Sequence, residues 1–205
     1  MARYRGPRVR IIRRLGELPG LTQKTTKRQN PPGQHVKSKW QMMKLSQYNL
    51  RLQEKQKLRY HFGLSENQLL NYVKRARQQK GASGQLLLEL LEMRLDNLLF
   101  RLGMAPTISA ARQFISHGHV LVNSKKVDIP SYQCEPKDII SIKQKKESRK
   151  LIADYLEQNS KQKIAPHLSL NPENLIGIVN DKVNSQSLGL NINELLIVEY
   201  YSRKV

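Results

Sequence analysis

The sequence predicts an α+β fold that is mostly helical. Residues 44–118 carry apolar side chains at helical spacing, with residues that begin and end helices between them. Short apolar runs separated by turn residues follow over residues 119–142 and predict β-strands. Residues 1–40 differ from both, because eight glycines and prolines interrupt any long helix or strand there. We therefore expect an extended N-terminal arm, then helices, then a small sheet.

The composition indicates a globular protein with a polyanionic partner. The chain has 205 residues, of which 39% are hydrophobic and 25% charged, and this length is enough to bury a core. Its 36 lysines and arginines outnumber its 16 acidic residues, which gives a formal net charge of +20. Such a surplus repels itself unless a polyanion neutralises it, so nucleic acid is the first candidate and an anionic membrane the second. No apolar run approaches the roughly 18 residues of a membrane span, and we expect no membrane partner.

The positive charge is concentrated in the N-terminal part of the chain. Residues 1–40 carry a net charge of +10, residues 41–80 carry +7 and residues 81–150 carry +4, while the last 55 residues carry −1. No apolar segment follows the first charges, so the N-terminus is not a secretory signal. It also lacks the serine richness of a transit peptide, and we expect it to be the mature N-terminus. A single cysteine, Cys134, excludes an internal disulfide and a multi-cysteine zinc site, and favours a reducing compartment.

Residues 1–43 form the predicted basic arm. Such a segment is irregular alone and is ordered by the molecule it wraps, whereas the alternative is a disordered tail that adds solubility. Docking is favoured by the apolar residues that recur among the arginines: Tyr4, Val9, Ile11, Ile12, Leu15 and Leu18. Arginine binds phosphate oxygens bidentately, so RNA or DNA is the expected ligand. The candidate contacts in the arm are Arg3, Arg5, Arg8, Arg10, Arg13, Arg14, Lys37 and Lys39.

Two helices are predicted after the arm. The first begins near Lys44 and ends at Gly63. The second begins with a capping box, in which Gln68 follows Ser65 by three residues, and it stops at Gly81. Its non-apolar face carries three cations: Lys74, Arg75 and Arg77. A charged helix face is usually only solvated, but beside a basic arm we expect it to extend one positive surface, with the first two of these cations as candidate contacts.

Residues 83–118 are the best-organised stretch and predict two more helices. The first is a single helix with one broad apolar face formed by Leu91, Leu95, Leu98, Leu99 and Leu102. Gly103 ends it, Thr107 offers an N-cap to a second short helix, and Gly118 ends that helix.

Arg94 and Arg112 lie on these two helices and are candidate nucleic-acid contacts. The alternative for both is a salt bridge at the edge of the core, which for Arg94 would be formed with Asp96 or Glu92. A helix pair could also read DNA, but this one leads into a lysine-tipped hairpin rather than a third helix.

That hairpin is predicted by the run HVLVN, a turn at Asn123 and Ser124, and the run KKVDI, after which DIISI predicts a further strand. Two-residue turns favour residues that tolerate positive φ, which suits Asn123. Ser124 suits it less than glycine would, at a cost of about 0.5–1 kcal/mol. Lys125 and Lys126 at the tip are candidate contacts with phosphate, although alternation places them on opposite faces and they could simply be solvated.

The segment RLDNLLFRLGMAPTISAARQFISHGHVLVNSKKVDIPSYQC resembles the RNA-binding module named after small-subunit ribosomal protein four. The resemblance extends to that ribosomal family itself through MARYRGPRVRIIRRLGELPGLT, PPGQH, LQEKQKLRYHFGL and INELLIVEYYSRK. Several independent motifs in the same order cover nearly the whole chain.

The resemblance implies a structural protein that binds small-subunit ribosomal RNA, nucleates assembly of the subunit body and contributes to translational accuracy. It implies the fifth and twelfth small-subunit proteins as neighbours, and a position near the path by which messenger RNA enters. It also implies a helical domain over residues 44–92 that is completed by residues 190–205. The RNA-binding module of residues 93–150 would be inserted in that domain, and residues 151–189 would extend the module and return. Propensity allows a strand in LLIVEYY, whereas the resemblance favours a helix.

Two departures from the family pattern affect these expectations. Some members bind zinc through a cysteine cluster in the arm, but residues 1–40 contain no cysteine, so we expect no metal. The turn that is commonly Asn-Gly is Asn123-Ser124 here.

The segments RRLGELPGLT and EYYSRK are similar to plastid and cyanobacterial members, and the abundance of Lys, Asn and Ile favours a plastid genome. We therefore expect a plastid ribosome, with synthesis inside the organelle, and a cyanobacterial cytoplasm as the alternative.

His117 and His119 flank Gly118 and raise the question of metal binding or catalysis. Structural zinc needs four ligands, usually including sulfur, and the only further candidate ligands, Asp128 and Cys134, are distant in the sequence. No nucleophile or carboxylate set and no nucleotide-binding loop accompanies the histidines, so we expect neither a catalytic residue nor a cofactor. They either face RNA or, for His117, cap a helix whose negative end favours histidine.

The remaining alternatives for the whole chain are an RNA-modifying enzyme and a DNA-binding regulator that use the same module.

Overall fold

The structure of the protein is a computed structural model that describes residues 4–28, 30–33, 46–159, 164–183 and 192–202. The coarse prediction of an α+β fold is confirmed. The elements are, in chain order, α1 Arg8–Leu15, α2 Gln47–His61, α3 Glu66–Gln78, α4 Ser83–Glu92, α5 Leu95–Arg101, α6 Ile108–Ser116, β1 Val120–Val122, β2 Lys125–Lys126, β3 Ile139–Ile142, α7 Lys146–Gln158, β4 Leu168–Asn171, β5 Ile176–Val179 and α8 Glu194–Ser202.

The described residues form two compact units. The helical unit lies within Met1–Leu87 and Asn191–Val205, and the sheet unit lies within Leu88–Leu190. Within the described ranges, no helix is long and apolar enough to cross a membrane.

The N-terminal arm contains a helix that was not predicted from the sequence. Helix α1 occupies eight residues between Pro7 and Gly16. Proline is tolerated at the start of a helix because its missing N–H would have no partner there, and Gly16 ends the helix at φ 94°. The breakers therefore bracket the helix rather than interrupt it. Its buried face includes Ile11, which forms a small apolar cluster with Leu18 and Leu21.

Local capping begins the next two helices. The Ser46 hydroxyl accepts a hydrogen bond from the Asn49 N–H at the start of α2. The predicted capping box of α3 is confirmed: the Gln68 N–H donates to Ser65 Oγ at 3.3 Å, and the Ser65 N–H donates to Gln68 Oε1 at 3.1 Å.

The segment LLIVEYY lies in a helix, α8, which packs against α2 and α3. Arg51 Nε on α2 is 2.6 Å from Glu199 Oε2 on α8. The Tyr201 hydroxyl donates to Glu66 Oε1 on α3 at 2.8 Å, and the Tyr201 side chain is fully buried. Tertiary burial therefore decides between the two secondary structures that local propensity allows.

The single helix predicted over residues 91–102 is wrong, because the chain leaves helical geometry at Arg94. That residue has φ −75° and ψ 139° and separates α4 from α5. Its backbone forms an antiparallel bridge with Gln133, and the next N–H, of Leu95, donates to the Tyr132 carbonyl at 2.9 Å. The apolar periodicity continues across the break because both short helices face the same core.

The sheet unit contains a five-stranded antiparallel sheet in the order β2-β1-β3-β5-β4. At the turn between β1 and β2, Asn123 has φ 49° and Ser124 has φ 66°. One face of the sheet is buried against the helices. Its close packing is clearest at Gly177, where a Cβ would lie 3.1 Å from Cδ2 of Leu102. Strands β4 and β5 fall in residues 151–189, for which the sequence predicted only an extension.

Candidate nucleic-acid interface

The arm of the helical unit divides its arginines between structural and exposed positions. Arg8 Nη1 donates to the Leu21 carbonyl at 3.1 Å. Arg13 donates through Nε and Nη2 to the Asn30 carbonyl, at 2.9 Å and 2.7 Å. These two side chains fix the loop that follows α1. Three other predicted contacts of the arm have exposed side chains: Arg5, Arg10 and Arg14.

Helix α3 presents a second set of exposed cations in the same unit. Its buried face consists of Leu69, Tyr72, Val73 and Ala76. Lys74 and Arg75 lie on the opposite, exposed face, together with Asn71. A helix with one apolar and one basic face can rest on the core while its cations remain available to an anion. Arg3, Lys37 and Lys39, which were also predicted as contacts, lie outside the described residues.

Arg94 is a buried residue, and its contact with nucleic acid stays a prediction that this burial does not favour. Its side chain is 2% exposed. Arg94 Nε lies 3.0 Å from Asp96 Oδ1 and Arg94 Nη2 lies 2.8 Å from Asp96 Oδ2. The buried guanidinium is thus held by a buried carboxylate, which is the salt-bridge alternative considered from the sequence.

Arg112 shares the same carboxylate. Its Nε donates to Asp96 Oδ2 at 2.7 Å, and its side chain is 15% exposed. Asp96 therefore joins the start of α5 to α6 through two guanidinium groups. A contact between Arg112 and nucleic acid stays a prediction.

His117 and His119 lie where α6 gives way to β1. His117 is exposed and is the C-cap residue of α6. The ring of His119 stacks on Phe114 with centroids 4.8 Å apart, and its Nδ1 is 2.9 Å from the Ser148 hydroxyl. Burial, and then the charges of His117 and of nearby lysines, lower the pKa of His119, so its ring is neutral near pH 7. Among the described residues, no group of three or more His, Cys, Asp or Glu side chains is placed to hold a metal ion.

The lysines of β2 stand beside this pair of histidines. Lys125 and Lys126 are both exposed, and they pair with Val122 and Leu121 of β1. The side chain of Lys126 crosses Gly118, where a Cβ would lie 3.0 Å from Lys126 Nζ. Glycine at this position, with φ 72°, therefore lets the lysine lie against the turn that ends α6.

A third basic group was not predicted from the sequence. It is formed by exposed cations before and within α7: Lys143, Lys145, Lys146, Arg149 and Lys150. The group approaches the histidines, because the Lys143 N–H donates to the His119 carbonyl at 2.8 Å. The run KQKKESRK contains five cations in eight residues and could have revealed it. The seven acidic residues of the segment 81–150 keep its net charge low despite this run.

Comparisons with known proteins agree with a ribosomal assignment. Residues 3–92 match the family model described as the ribosomal protein S4/S9 N-terminal domain, and residues 93–140 match the S4 domain model. The chain is 58% identical over 203 residues to small ribosomal subunit protein uS4c of Oltmannsiellopsis viridis, covering 99% of this chain and 100% of that one. It is 58% identical to uS4c of Nephroselmis olivacea and 56% identical to uS4 of Thermosynechococcus vestitus, each over 205 residues and the full length of both chains.

Proposed function

Because this chain belongs to the family of small ribosomal subunit protein uS4, we propose that its exposed cations bind the phosphates of small-subunit ribosomal RNA. The protein is a structural, RNA-binding component of the small ribosomal subunit and not an enzyme. The chloroplast form uS4c among its relatives assigns it to a plastid ribosome, and the cyanobacterial uS4 agrees with the alternative compartment. The relatives are matched over their full length, so an RNA-modifying enzyme and a DNA-binding regulator are not favoured.

The observation that carries the proposed contacts is the separation of interior from exposed cations. Arg94 and Arg112 are engaged with Asp96, and Arg8 and Arg13 are engaged with backbone carbonyls. The cations proposed to contact RNA project from exposed surfaces within each unit. In the helical unit they are Arg5, Arg10, Arg14, Lys74 and Arg75, and in the sheet unit they are Lys125, Lys126 and the basic group of α7.

The mechanism is recognition of folded RNA by its shape and its phosphate positions. Each lysine or arginine that neutralises a phosphate releases counterions, which supplies affinity without reading a base. RNA helices hide their base edges in a deep, narrow groove, so proteins recognise them mainly through backbone geometry. Cations on rigid elements such as α3 and β2 suit this task because they hold a fixed spacing.

The salt dependence of RNA binding tests the proposal. The dissociation constant for small-subunit ribosomal RNA is measured over a series of KCl concentrations, and a steep log-log slope is expected. The double variant Lys125→Ala/Lys126→Ala should bind more weakly, with a slope reduced by about one for each phosphate that the variant no longer neutralises. Lys182→Ala removes an exposed cation beside Glu89 and is the matched control, expected to leave the slope unchanged. A wild-type slope near zero would contradict the proposal.

We further propose that the helical domain of residues 44–92 is completed by residues 190–205 and interrupted by the RNA-binding module of residues 93–150. The support is that α8 packs on α2 and α3 within one compact unit. By resemblance, the fifth and twelfth small-subunit proteins would be neighbours, with messenger RNA close by. The protein would nucleate assembly of the subunit body and affect decoding accuracy. Omitting it from reconstitution of the small subunit should block later proteins from joining, and normal incorporation without it would contradict this role.

A further inference from the structure

A groove in the sheet unit is not explained by binding of phosphate. It has a volume of about 330 Å³, within the usual range for small-ligand pockets, and it lies between α6 and α7. Met104 and Ala105 are buried at its base. Helix α6 contributes Ala110, Gln113 and Phe114, and α7 contributes Glu147, Ser148, Leu151 and Tyr155. The groove thus has apolar walls and polar groups at its rim.

One wall of the groove is aromatic. Phe114 and His119 are stacked with an interplanar angle of 29°, and both line the groove with Tyr155. The lowered pKa of His119 keeps its ring uncharged, so the pair offers a neutral flat surface. Aromatic and histidine rings are the side chains on which unpaired RNA bases stack.

Cations lie close to the histidines that line the groove. Lys126 lies across Gly118, next to His117 and His119. Lys143 and Lys145 are close enough to His119 to affect its pKa. An apolar side chain from another protein would gain nothing from these ammonium groups. A nucleotide would, because its base and its phosphate need an aromatic surface and a cation at adjacent positions.

We propose that the groove between α6 and α7 takes one unpaired RNA base, stacked on the Phe114–His119 pair. The flanking phosphates contact Lys126, Lys143 and Lys145. This inference rests on the proposed function, and it adds a base-binding site to a surface otherwise assigned to phosphate.

The rim of the groove also selects among bases. A carboxylate such as that of Glu147 only accepts hydrogen bonds, whereas the amide of Gln113 both donates and accepts. Adenine, cytosine and guanine carry an exocyclic amino group that can donate to such a carboxylate, whereas the single base-edge donor of uracil, N3–H, lies between two carbonyl oxygens that repel it. The base in the groove is therefore an amino-bearing one, and uracil is disfavoured.

The test fills the groove without changing its charge. Ala110→Trp places an indole where the base would stack, while Ala153→Trp, on the exposed side of α7, makes the same change outside the groove. Affinity for small-subunit ribosomal RNA is measured across KCl concentrations. Ala110→Trp should weaken binding about 5- to 150-fold, the range for loss of one stacked base, with an unchanged salt slope. The control should bind as the wild type does.

Dimethyl sulfate probing of the bound RNA locates the base. One unpaired adenine or cytosine should be protected by the wild type and by Ala153→Trp, and should become reactive with Ala110→Trp. Phe114→Leu removes the aromatic face but keeps an apolar side chain, and it should lower the affinity for RNA in the same way. It replaces Ala110→Trp in the test if the thermal transition of Ala110→Trp shows that this variant does not fold.

Three results would overturn the inference. Wild-type affinity in both groove variants would show that no base is stacked there. A reduced salt slope in Ala110→Trp would show that the groove contributes only charge. Unchanged RNA binding with loss of a small-subunit protein from reconstituted particles would show that the groove holds a protein segment. In each case a steep wild-type salt slope would leave the proposed function standing, so the two can fail separately.

Discussion

Replacing Asp96 by asparagine should destabilise the sheet unit by about 3–5 kcal/mol, the usual cost of removing one partner from a buried ion pair. The Asp96 side chain is 1% exposed and accepts two hydrogen bonds from Arg94 and one from Arg112. Asparagine keeps the shape but loses the charge and turns an N–H group toward guanidinium donors. Three charge-assisted bonds of roughly 1.5–3 kcal/mol each set an upper limit of about 5–9 kcal/mol. Arg112 is 15% exposed, so water can solvate its guanidinium in the variant and offset part of this lost free energy. The expected destabilisation is therefore the smaller value of about 3–5 kcal/mol.

The assay must report on the sheet unit alone, since a chain of two units need not unfold in one step. Urea unfolding is therefore followed by hydrogen exchange of the amides of α5 and α6. Asp128→Asn makes the same chemical change at an exposed position and is the control, expected within about 0.5 kcal/mol of the wild type. Adding Arg94→Met to Asp96→Asn should recover stability, because it removes the buried cation left without a counter-charge. A destabilisation below about 1 kcal/mol for Asp96→Asn, or one equal to the control, would refute the reasoning.

Three further outcomes are expected from the structure. Glu66→Gln should cost about 1–2 kcal/mol in urea unfolding at pH 7, because it removes the carboxylate that pairs with buried Lys55 and because the Glu66 side chain, at 41% exposure, is partly screened by water. Although burial opposes it, hydrogen bonding and the charge of Lys55 hold the pKa of Glu66 below its usual value, so this difference should persist above about pH 4.5 and shrink as the pH falls below it. Ser124→Gly should raise stability by about 0.5–1 kcal/mol in thermal unfolding, since glycine adopts φ 66° without strain, and a decrease in stability would contradict this. Lys143→Ala/Lys145→Ala should reduce the salt slope of RNA binding by about one per phosphate contact, whereas an unchanged slope would remove the missed basic group from the interface.

The features that the sequence predicted well are those decided within a few residues. The capping box of Ser65 and Gln68 and the N-cap at Thr107 depend on groups three positions apart, and both are present. The positive-φ turn at Asn123 and Ser124 is likewise a local matter. Short-range chemistry of this kind is visible in a sequence because no distant residue is needed to complete it.

The features that the sequence missed depend on distant residues. The helix breaks at Arg94 because its backbone pairs with Gln133, and the Gln133 side chain donates to the Leu90 carbonyl from 43 residues away. From the sequence, Arg94 could either contact nucleic acid or pair with the nearby Asp96, and the burial of both side chains depends on the fold. For the candidate site, composition predicted the exposed cations of the arm and of β2. It could not predict the groove, whose walls come from two helices separated by three strands.

Helix α8 joins the helical unit across a long interval of chain, since Arg51 and its partner Glu199 are 148 residues apart. A nascent chain must therefore emerge through the whole of the sheet unit before the helical unit receives its last helix. Domains tend to fold as units during synthesis, so the sheet unit can fold before α8 has been made and packed against α2 and α3. Translation that stops before α8 would release a folded sheet unit joined to an open helical unit. The helical unit is therefore complete only after Tyr201 has been synthesised, because the Tyr201 hydroxyl then forms its hydrogen bond with Glu66.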